Sequence, residues 1–221
     1  MKAALARAFV LAPGILPLSL LYGIAAGGAG FTAAQVFLMS GFGFAGTAQF
    51  AAINLANAGA GFLAAAGTTF VINSRYLLMT TGTLQLVQHR RAPAWKRIWL
   101  SLLVVDENYA LQQQWAEQGK PRTWDLILLG STIWVIWMTG SLAGLLVGDR
   151  LPDLMAIGLD YALPGLFVGL LGIFAKDREH AALGLACLAL GGVLALVGQA
   201  VLATVLVPVV AAIGWGRWRT P

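Results

Sequence analysis

The sequence predicts an all-α polytopic membrane protein with about six transmembrane helices, a glycine-rich broken or re-entrant segment and a weak internal repeat. Of the 221 residues, 59% are hydrophobic and only 10% are charged, whereas roughly a quarter are charged in an average soluble domain. Apolar stretches long enough to cross a bilayer recur along the chain, and basic residues collect in the short loops between them. This composition excludes a soluble enzyme, a nucleic-acid-binding protein and a disordered chain.

Charged clusters divide the chain into apolar stretches at 9–30, 31–57, 58–88, 99–111, 124–148, 154–175 and 181–215. A span needs about 20 residues, so 9–30, 124–148 and 154–175 each predict one helix, and 58–88 predicts a tilted helix that protrudes. The stretch 99–111 is too short to cross and predicts an interfacial or re-entrant segment. The last stretch predicts two passes that break near Gly198 and Gln199, the second kinked by Pro208.

Basic residues predict the orientation. Arg90, Arg91, Lys96 and Arg97 share one short loop, which should be cytoplasmic, as should the N-terminus. Three full crossings before that loop would place it outside. The conflict disappears if 31–57 enters and leaves by the same face.

The interior of 31–57 is where we expect its helix to break. Residues 41–49 contain three glycines, each of which weakens a helix by roughly 1 kcal/mol, and Thr47 and Gln49 can satisfy freed backbone groups. An ordinary glycine-rich span remains the alternative, because glycine also serves close helix packing.

Ionisable side chains inside apolar stretches are the candidate functional residues, since burying them in lipid is costly. Arg75 and Asp160 lie in different stretches, which suggests an ion pair beside a solute pathway. A purely structural pair, or an Arg75 that reaches the interface, is the alternative. Asp106 and Glu107 form a second cluster, interpreted either as a solvated helix end or as carboxylates in a cytoplasmic vestibule that meet Arg75.

The sequence predicts neither an enzyme nor a metal or cofactor site. His89 and His180 lie in basic loops away from the acidic cluster, Cys187 is the single cysteine, and no zinc-protease or nucleotide-binding motif is present. Prolines interrupt apolar stretches in both halves, at Pro13, Pro17 and Pro164, a pattern of transporters with a midplane binding site. Coincidental prolines remain the alternative, and no channel filter motif is visible.

Four motifs together resemble the AzlC family, the large subunit of bacterial branched-chain amino acid exporters. They are Gly46-Thr-Ala-Gln-Phe50, Asn73-Ser-Arg-Tyr-Leu-Leu-Met-Thr80, Asp106-Glu-Asn-Tyr-Ala110 and Gly158-Leu-Asp-Tyr-Ala-Leu-Pro164. Their order covers nearly the whole chain. Tyr76 departs from the family pattern, which usually has histidine there, and a tyrosine with an ordinary pKa of about 10 is no neutral-pH proton carrier.

The resemblance implies that residues 1–221 form a single integral membrane transporter domain in the bacterial inner membrane. It implies export of leucine, isoleucine, valine or similar amino acids with a small hydrophobic AzlD-type partner. The alternative is a non-transporting membrane subunit that assembles with or regulates another transport complex. The predicted substrate-binding residues are Gly46, Thr47, Gln49, Asn73, Arg75 and Asp160, and the predicted coupling or gating residues are Asp106, Glu107 and Tyr76.

Physically, the backbone N–H groups of the broken helix near Gly41 to Gln49 would receive a substrate carboxylate. Unwound carbonyls, Asn73 or Asp160 would receive the ammonium group. Small residues at Ala45, Ala48 and Ala51 would leave room for an aliphatic side chain.

Overall fold

The computed structural model describes residues 2–88, 92–119, 121–148, 178–198 and 207, and this part of the chain is helical and contains no strand. Its helices are α1 (Lys2–Gly28), α2 (Ala33–Phe42), α3 (Gly46–Asn57), α4 (Phe62–Asn73), α5 (Arg75–Gln88), α6 (Ala94–Leu102), α7 (Asp106–Gln118), α8 (Thr123–Val147) and α9 (Arg178–Leu196). The all-α prediction is therefore confirmed for the described residues. The count of six spans stays a prediction.

Two of the described helices, α1 and α8, are long and apolar enough to cross a membrane. They match the predicted spans at 9–30 and 124–148. The predicted interruption of the first is wrong, because α1 continues through Pro13 and Pro17. Proline is tolerated in membrane helices where neighbouring groups satisfy the freed carbonyls. The stretch 154–175 lies outside the described residues.

The pair α1 and α8 is the centre of the fold, and the two helices run parallel. Gly23 faces Ser141 and Leu145 on α8, and farther along both helices Gly148 faces Ile24. Side chains from both helices form the largest apolar cluster, which includes Ile15, Leu18, Tyr22, Leu129, Ile133 and Trp137. The first residues of α1 and α8 therefore lie at one end of the molecule, here called the amino end, and their last residues lie at the carboxyl end.

Helices α2 and α3 form a hairpin, here called the first hairpin, which opens toward the carboxyl end. The break at 43–45 lies beside the middle of α8, where Trp134 donates to the Gly41 carbonyl at 3.1 Å. A groove of about 720 Å³ is lined by Phe31, Gln35 and Met39 on the incoming side and by Ala52, Ala56 and Ala60 on the returning side. The hairpin thus begins and ends at the same end of the molecule, which is the geometry that a re-entrant 31–57 requires. Its entry and exit by one membrane face stay a prediction.

Helices α6 and α7 form a second hairpin that opens toward the amino end. Trp95 of α6 packs against Trp124 at the start of α8, with ring centroids 5.5 Å apart, and Leu103 reaches Gly130, about 10 Å farther along α8. Helix α7 then returns, so that Gln118 accepts from Arg7 at 3.0 Å. The stretch 99–111 therefore contains the turn of a hairpin that is longer than the stretch itself. Its interfacial or re-entrant position in a membrane stays a prediction.

Helices α4 and α5 connect the two hairpins, with a break at Ser74. The predicted single tilted helix over 58–88 is wrong, because α4 ends at Asn73 and α5 begins at Arg75. The Ser74 hydroxyl donates to the Val71 carbonyl at 2.7 Å, and this bond satisfies a carbonyl that the break exposes. Helix α9 ends beside Gly198, whose φ of 79° stops the helix where the sequence predicted a break.

Candidate functional site

The breaks of the two hairpins and of α4–α5 meet at the Arg75 side chain. One guanidinium nitrogen, Nη2, donates to the Thr47 hydroxyl at 3.0 Å and to Oδ2 of Asp106 at 2.6 Å. Thr47 lies in the first turn of α3, and Asp106 is the first residue of α7. A single cation therefore links the inner ends of both hairpins, and we call Thr47, Asn73, Arg75 and Asp106 the junction site.

The contact between Arg75 and Asp106 decides between the two interpretations of the acidic cluster. The carboxylates are not a fully solvated helix end, since Asp106 meets Arg75 and its side chain is only 11% exposed. The predicted partner Asp160 lies outside the described residues, so that pairing stays a prediction.

Two polar atoms of the junction site have no hydrogen-bond partner among the described residues. They are Nε of Arg75 and Oδ1 of Asn73, and both atoms are buried. Buried polar atoms are normally satisfied by protein, water or ligand. The junction site therefore has one donor and one acceptor that are available to a polar ligand.

The first turn of α3 supplies further donors. Its N-cap residue is Ala45, which makes no side-chain capping bond, so the first N–H groups of the helix lack the usual side-chain acceptor. The aligned peptide dipoles give this end a partial positive charge. Together with Arg75, the start of α3 forms a site suited to an anion such as a carboxylate.

Gly46 and Gln49 face α8 across the first hairpin. A methyl group added at Gly46 would come within 2.8 Å of the Trp137 ring. The Gln49 amide donates to the Ser40 hydroxyl at 3.2 Å and accepts from the Trp137 indole at 2.9 Å. Gln49 thus joins α2, α3 and α8, and Ser40 and Trp137 are the partners that the sequence alone did not identify.

We expect Gln49→Leu to lower the melting temperature and to leave the affinity for leucine nearly unchanged. The substitution leaves the buried Ser40 hydroxyl and Trp137 indole without this partner, at a cost of about 1–3 kcal/mol each. Melting temperature and leucine affinity, measured on the same purified variant, separate packing from binding. A normal melting temperature with a roughly 10- to 150-fold loss of affinity would instead place Gln49 in the binding site.

The second hairpin is held by a buried network that the sequence analysis missed. Asn108 accepts from the Val105 N–H at 3.1 Å and donates to the Leu103 carbonyl, so its side chain closes the turn before α7. Gln112 donates to Asn108 at 3.1 Å and accepts from the Thr83 hydroxyl at 2.9 Å. The i,i+4 spacing of Asn108 and Gln112 was the available signal. This network fixes the position of Asp106.

The two remaining predicted gating residues flank the ion pair. The Arg75 guanidinium carbon lies 5.5 Å from the centroid of the Tyr76 ring, within cation–π range. Tyr76 also packs against the small apolar cluster of Ala45, Ala48 and Ile72. Glu107 follows Asp106 in the first turn of α7 and is partly buried. In the described part of the chain, no group of three histidine, cysteine or carboxylate side chains is placed to hold a metal ion.

Comparison with known proteins agrees with the motifs. An uncharacterized membrane protein of Helicobacter pylori strain J99 is 27% identical over 190 residues, which cover 81% of this chain and 80% of that protein, and its counterpart in strain 26695 matches equally well. No solved structure matches. Residues 10–151 match the family described as AzlC protein, and this region contains both hairpins and the whole junction site. The chain is a membrane protein that belongs to the AzlC family, whose members are generally branched-chain amino acid transport proteins.

Proposed function

We propose that this chain is a secondary exporter of branched-chain and similar small aliphatic amino acids, and that it works in the bacterial inner membrane with a small hydrophobic AzlD-type partner. The observation that carries the proposal is Arg75, held where the inner ends of two oppositely directed hairpins meet. Family membership supports amino acid transport, and the junction site supplies the chemistry for it.

The substrate carboxylate would lie against Arg75 and the first turn of α3. Arginine has five N–H donors and can bind a carboxylate through two parallel hydrogen bonds. The α3 amides add donors whose dipoles point the same way. Every amino acid has this carboxylate. These contacts would therefore select amino acids as a class, without distinguishing their side chains.

The aliphatic side chain would pack against the apolar cluster beside Arg75. Ala45, Ala48 and Ile72 form this cluster with Ala51 and Tyr76 at its edge. Small residues there match a short aliphatic group, whose burial is worth about 0.8 kcal/mol per methylene. A charged or strongly polar substrate side chain would have no partner in this cluster.

The arrangement also accounts for how a polar site can exist at membrane depth. Irregular backbone is tolerated there only where protein surrounds it or where it lines an aqueous cavity. The two hairpins bring their breaks together from opposite ends, as in transporters whose half-helices meet at the midplane. In the proposed orientation, the amino end is cytoplasmic because Lys2 and Arg7 lie there.

This orientation gives a direct test of topology. In a variant without Cys187, we expect cysteines at Ala33 and Gly59 to react with an impermeant thiol reagent in intact cells, because both positions lie at the open end of the first hairpin. Cysteines at Ala92 and Gly119, at the open end of the second hairpin, should react only after permeabilisation. Labelling at Ala33 with protection at Gly59 would contradict the hairpin.

The transport proposal is tested by efflux of radiolabelled leucine from preloaded cells. Cells that express the chain together with a small hydrophobic protein encoded beside it should lose leucine faster than cells with the empty vector. Expression of each protein alone shows whether both are needed. Efflux equal to that of the vector control, with both proteins present in the membrane, would favour the non-transporting subunit.

A further inference from the structure

We propose that the substrate binds as a zwitterion by splitting the Arg75–Asp106 ion pair, with Asp106 as the partner of the substrate ammonium group. This inference rests on the proposed function and deepens it, because it assigns the second charged contact. The sequence suggested unwound carbonyls, Asn73 or Asp160 for the ammonium group, whereas the structure places Asp106 directly against Arg75.

Arg75 can receive a ligand carboxylate without first losing every contact. Both of its contacts to Thr47 and Asp106 use the same nitrogen, Nη2, whereas Nε is buried and unpaired among the described residues. A guanidinium group that uses one corner keeps other donors for a second acceptor. The side chain is 18% exposed, so that a small ligand can reach it.

Asp106 is placed to receive a cation once Arg75 turns to the ligand. It is the first residue of α7, where the helix dipole stabilises a carboxylate. Its position is fixed from behind by Asn108, which closes the turn into the helix. The carboxylate is therefore oriented before the ligand arrives, and this lowers the cost of binding.

The charge balance makes the site selective for ligands that have both charges. A zwitterion replaces one ion pair by two, since its carboxylate takes Arg75 and its ammonium group takes Asp106. A ligand with only a carboxylate brings a second negative charge to Arg75. Its carboxylate and Asp106 must then share one cation, or Asp106 must give up its cation to the ligand. Partly buried charges that lose their partner are penalised, so mono-charged analogues should bind roughly 10- to 150-fold more weakly than the amino acid.

The test compares leucine with two analogues by calorimetric titration of the purified protein in lipid nanodiscs. 4-Methylpentanoate is leucine without its amino group, and leucinamide is leucine without its carboxylate charge. The wild-type protein should prefer leucine over both. In Asp106→Asn, leucine should weaken about 10- to 150-fold, whereas 4-methylpentanoate should tighten, because Arg75 is no longer held by a carboxylate.

The control variant is Glu117→Gln, which removes one carboxylate near the far end of the same helix and should leave all three affinities unchanged. Asp106→Glu should keep the preference for leucine, because it keeps the charge. If Asp106→Asn does not fold, equal binding of leucine and either analogue by the wild-type protein would still overturn the inference.

The two proposals fail in different ways. A wild-type protein that exports leucine, with a ratio of leucine to 4-methylpentanoate affinity that Asp106→Asn leaves unchanged, would contradict only the assignment of Asp106. The absence of leucine efflux from cells that contain the protein and its partner would contradict the transport function itself.

Discussion

Replacing Arg75 by alanine is expected to abolish leucine efflux and to lower the thermal stability strongly. The substitution removes the cation that joins α3 and α7 and leaves Asp106, whose side chain is 11% exposed, without its counter-ion. Removing one partner of a buried ion pair costs about 3–5 kcal/mol. The same change deletes the proposed carboxylate contact, so the loss of transport should persist even in protein that folds.

The effect on stability can be separated from the effect on transport by also replacing Asp106, the other member of the ion pair. The variant with alanine at both Arg75 and Asp106 no longer leaves Asp106 without its counter-ion. Its melting temperature should lie above that of Arg75→Ala, while efflux remains absent. Arg97→Ala removes an exposed arginine from α6 and serves as the matched control. Efflux at the wild-type rate in Arg75→Ala would contradict a role for the junction site.

A charge reversal should not restore function. With Asp at position 75 and Arg at position 106, the pair is kept but a cation lies at the start of α7, where the helix dipole is unfavourable. The reversed pair would also present a carboxylate to the first turn of α3. The start of α7 thus favours the carboxylate at position 106, and a carboxylate from position 75 would occupy the place proposed for the substrate carboxylate.

The first hairpin could be predicted from the sequence, because its signals are local. Three glycines within residues 41–49 weaken a helix at that point, and the basic loop after 58–88 required an even number of crossings before it. The structure places the break at 43–45, inside the predicted interval. Glycine content and the positions of basic residues were therefore enough to predict the helix break in this segment.

The break at Ser74 could not be predicted in the same way. Residues 68–81 contain neither glycine nor proline, so no local breaker marks the end of α4. The break coincides instead with the tertiary contacts of Arg75, which reaches Thr47 and Asp106 over sequence separations of 28 and 31 residues. Long-range contacts of this kind leave no periodic pattern in the sequence.

For a related reason, the sequence could not show which carboxylate pairs with Arg75. Asp106, Glu107 and Asp160 were all candidates by charge, and charge alone does not distinguish them. The deciding feature is the turn closed by Asn108, which brings the start of α7 to the depth of Arg75. Asn108 is the third residue of α7, and the residue before the helix, Val105, is not a typical capping residue. The sequence alone therefore gives little indication of this turn.

The close contact of α1 and α8 gives the second large expected effect, which is a loss of stability. Gly144 lies against the backbone of Leu20, and an added methyl group would overlap the Leu20 carbonyl oxygen. A backbone carbonyl cannot move aside as a flexible side chain can. Small residues allow membrane helices to approach in this way, and the parallel pair carries the contacts of both hairpins.

Gly144→Ala should therefore force α1 and α8 apart and destabilise the protein by at least the roughly 1–3 kcal/mol typical of overpacking. The matched control is Gly67→Ala in α4, where an added methyl group meets nothing within 4 Å. Because alanine favours a helix over glycine by about 1 kcal/mol, the control should be as stable as wild type or more so. The melting temperatures of both variants can be measured on detergent-purified protein by heating samples and monitoring the remaining folded protein by size-exclusion chromatography. Equal melting temperatures for the two variants would show that α1 and α8 can separate without loss of stability.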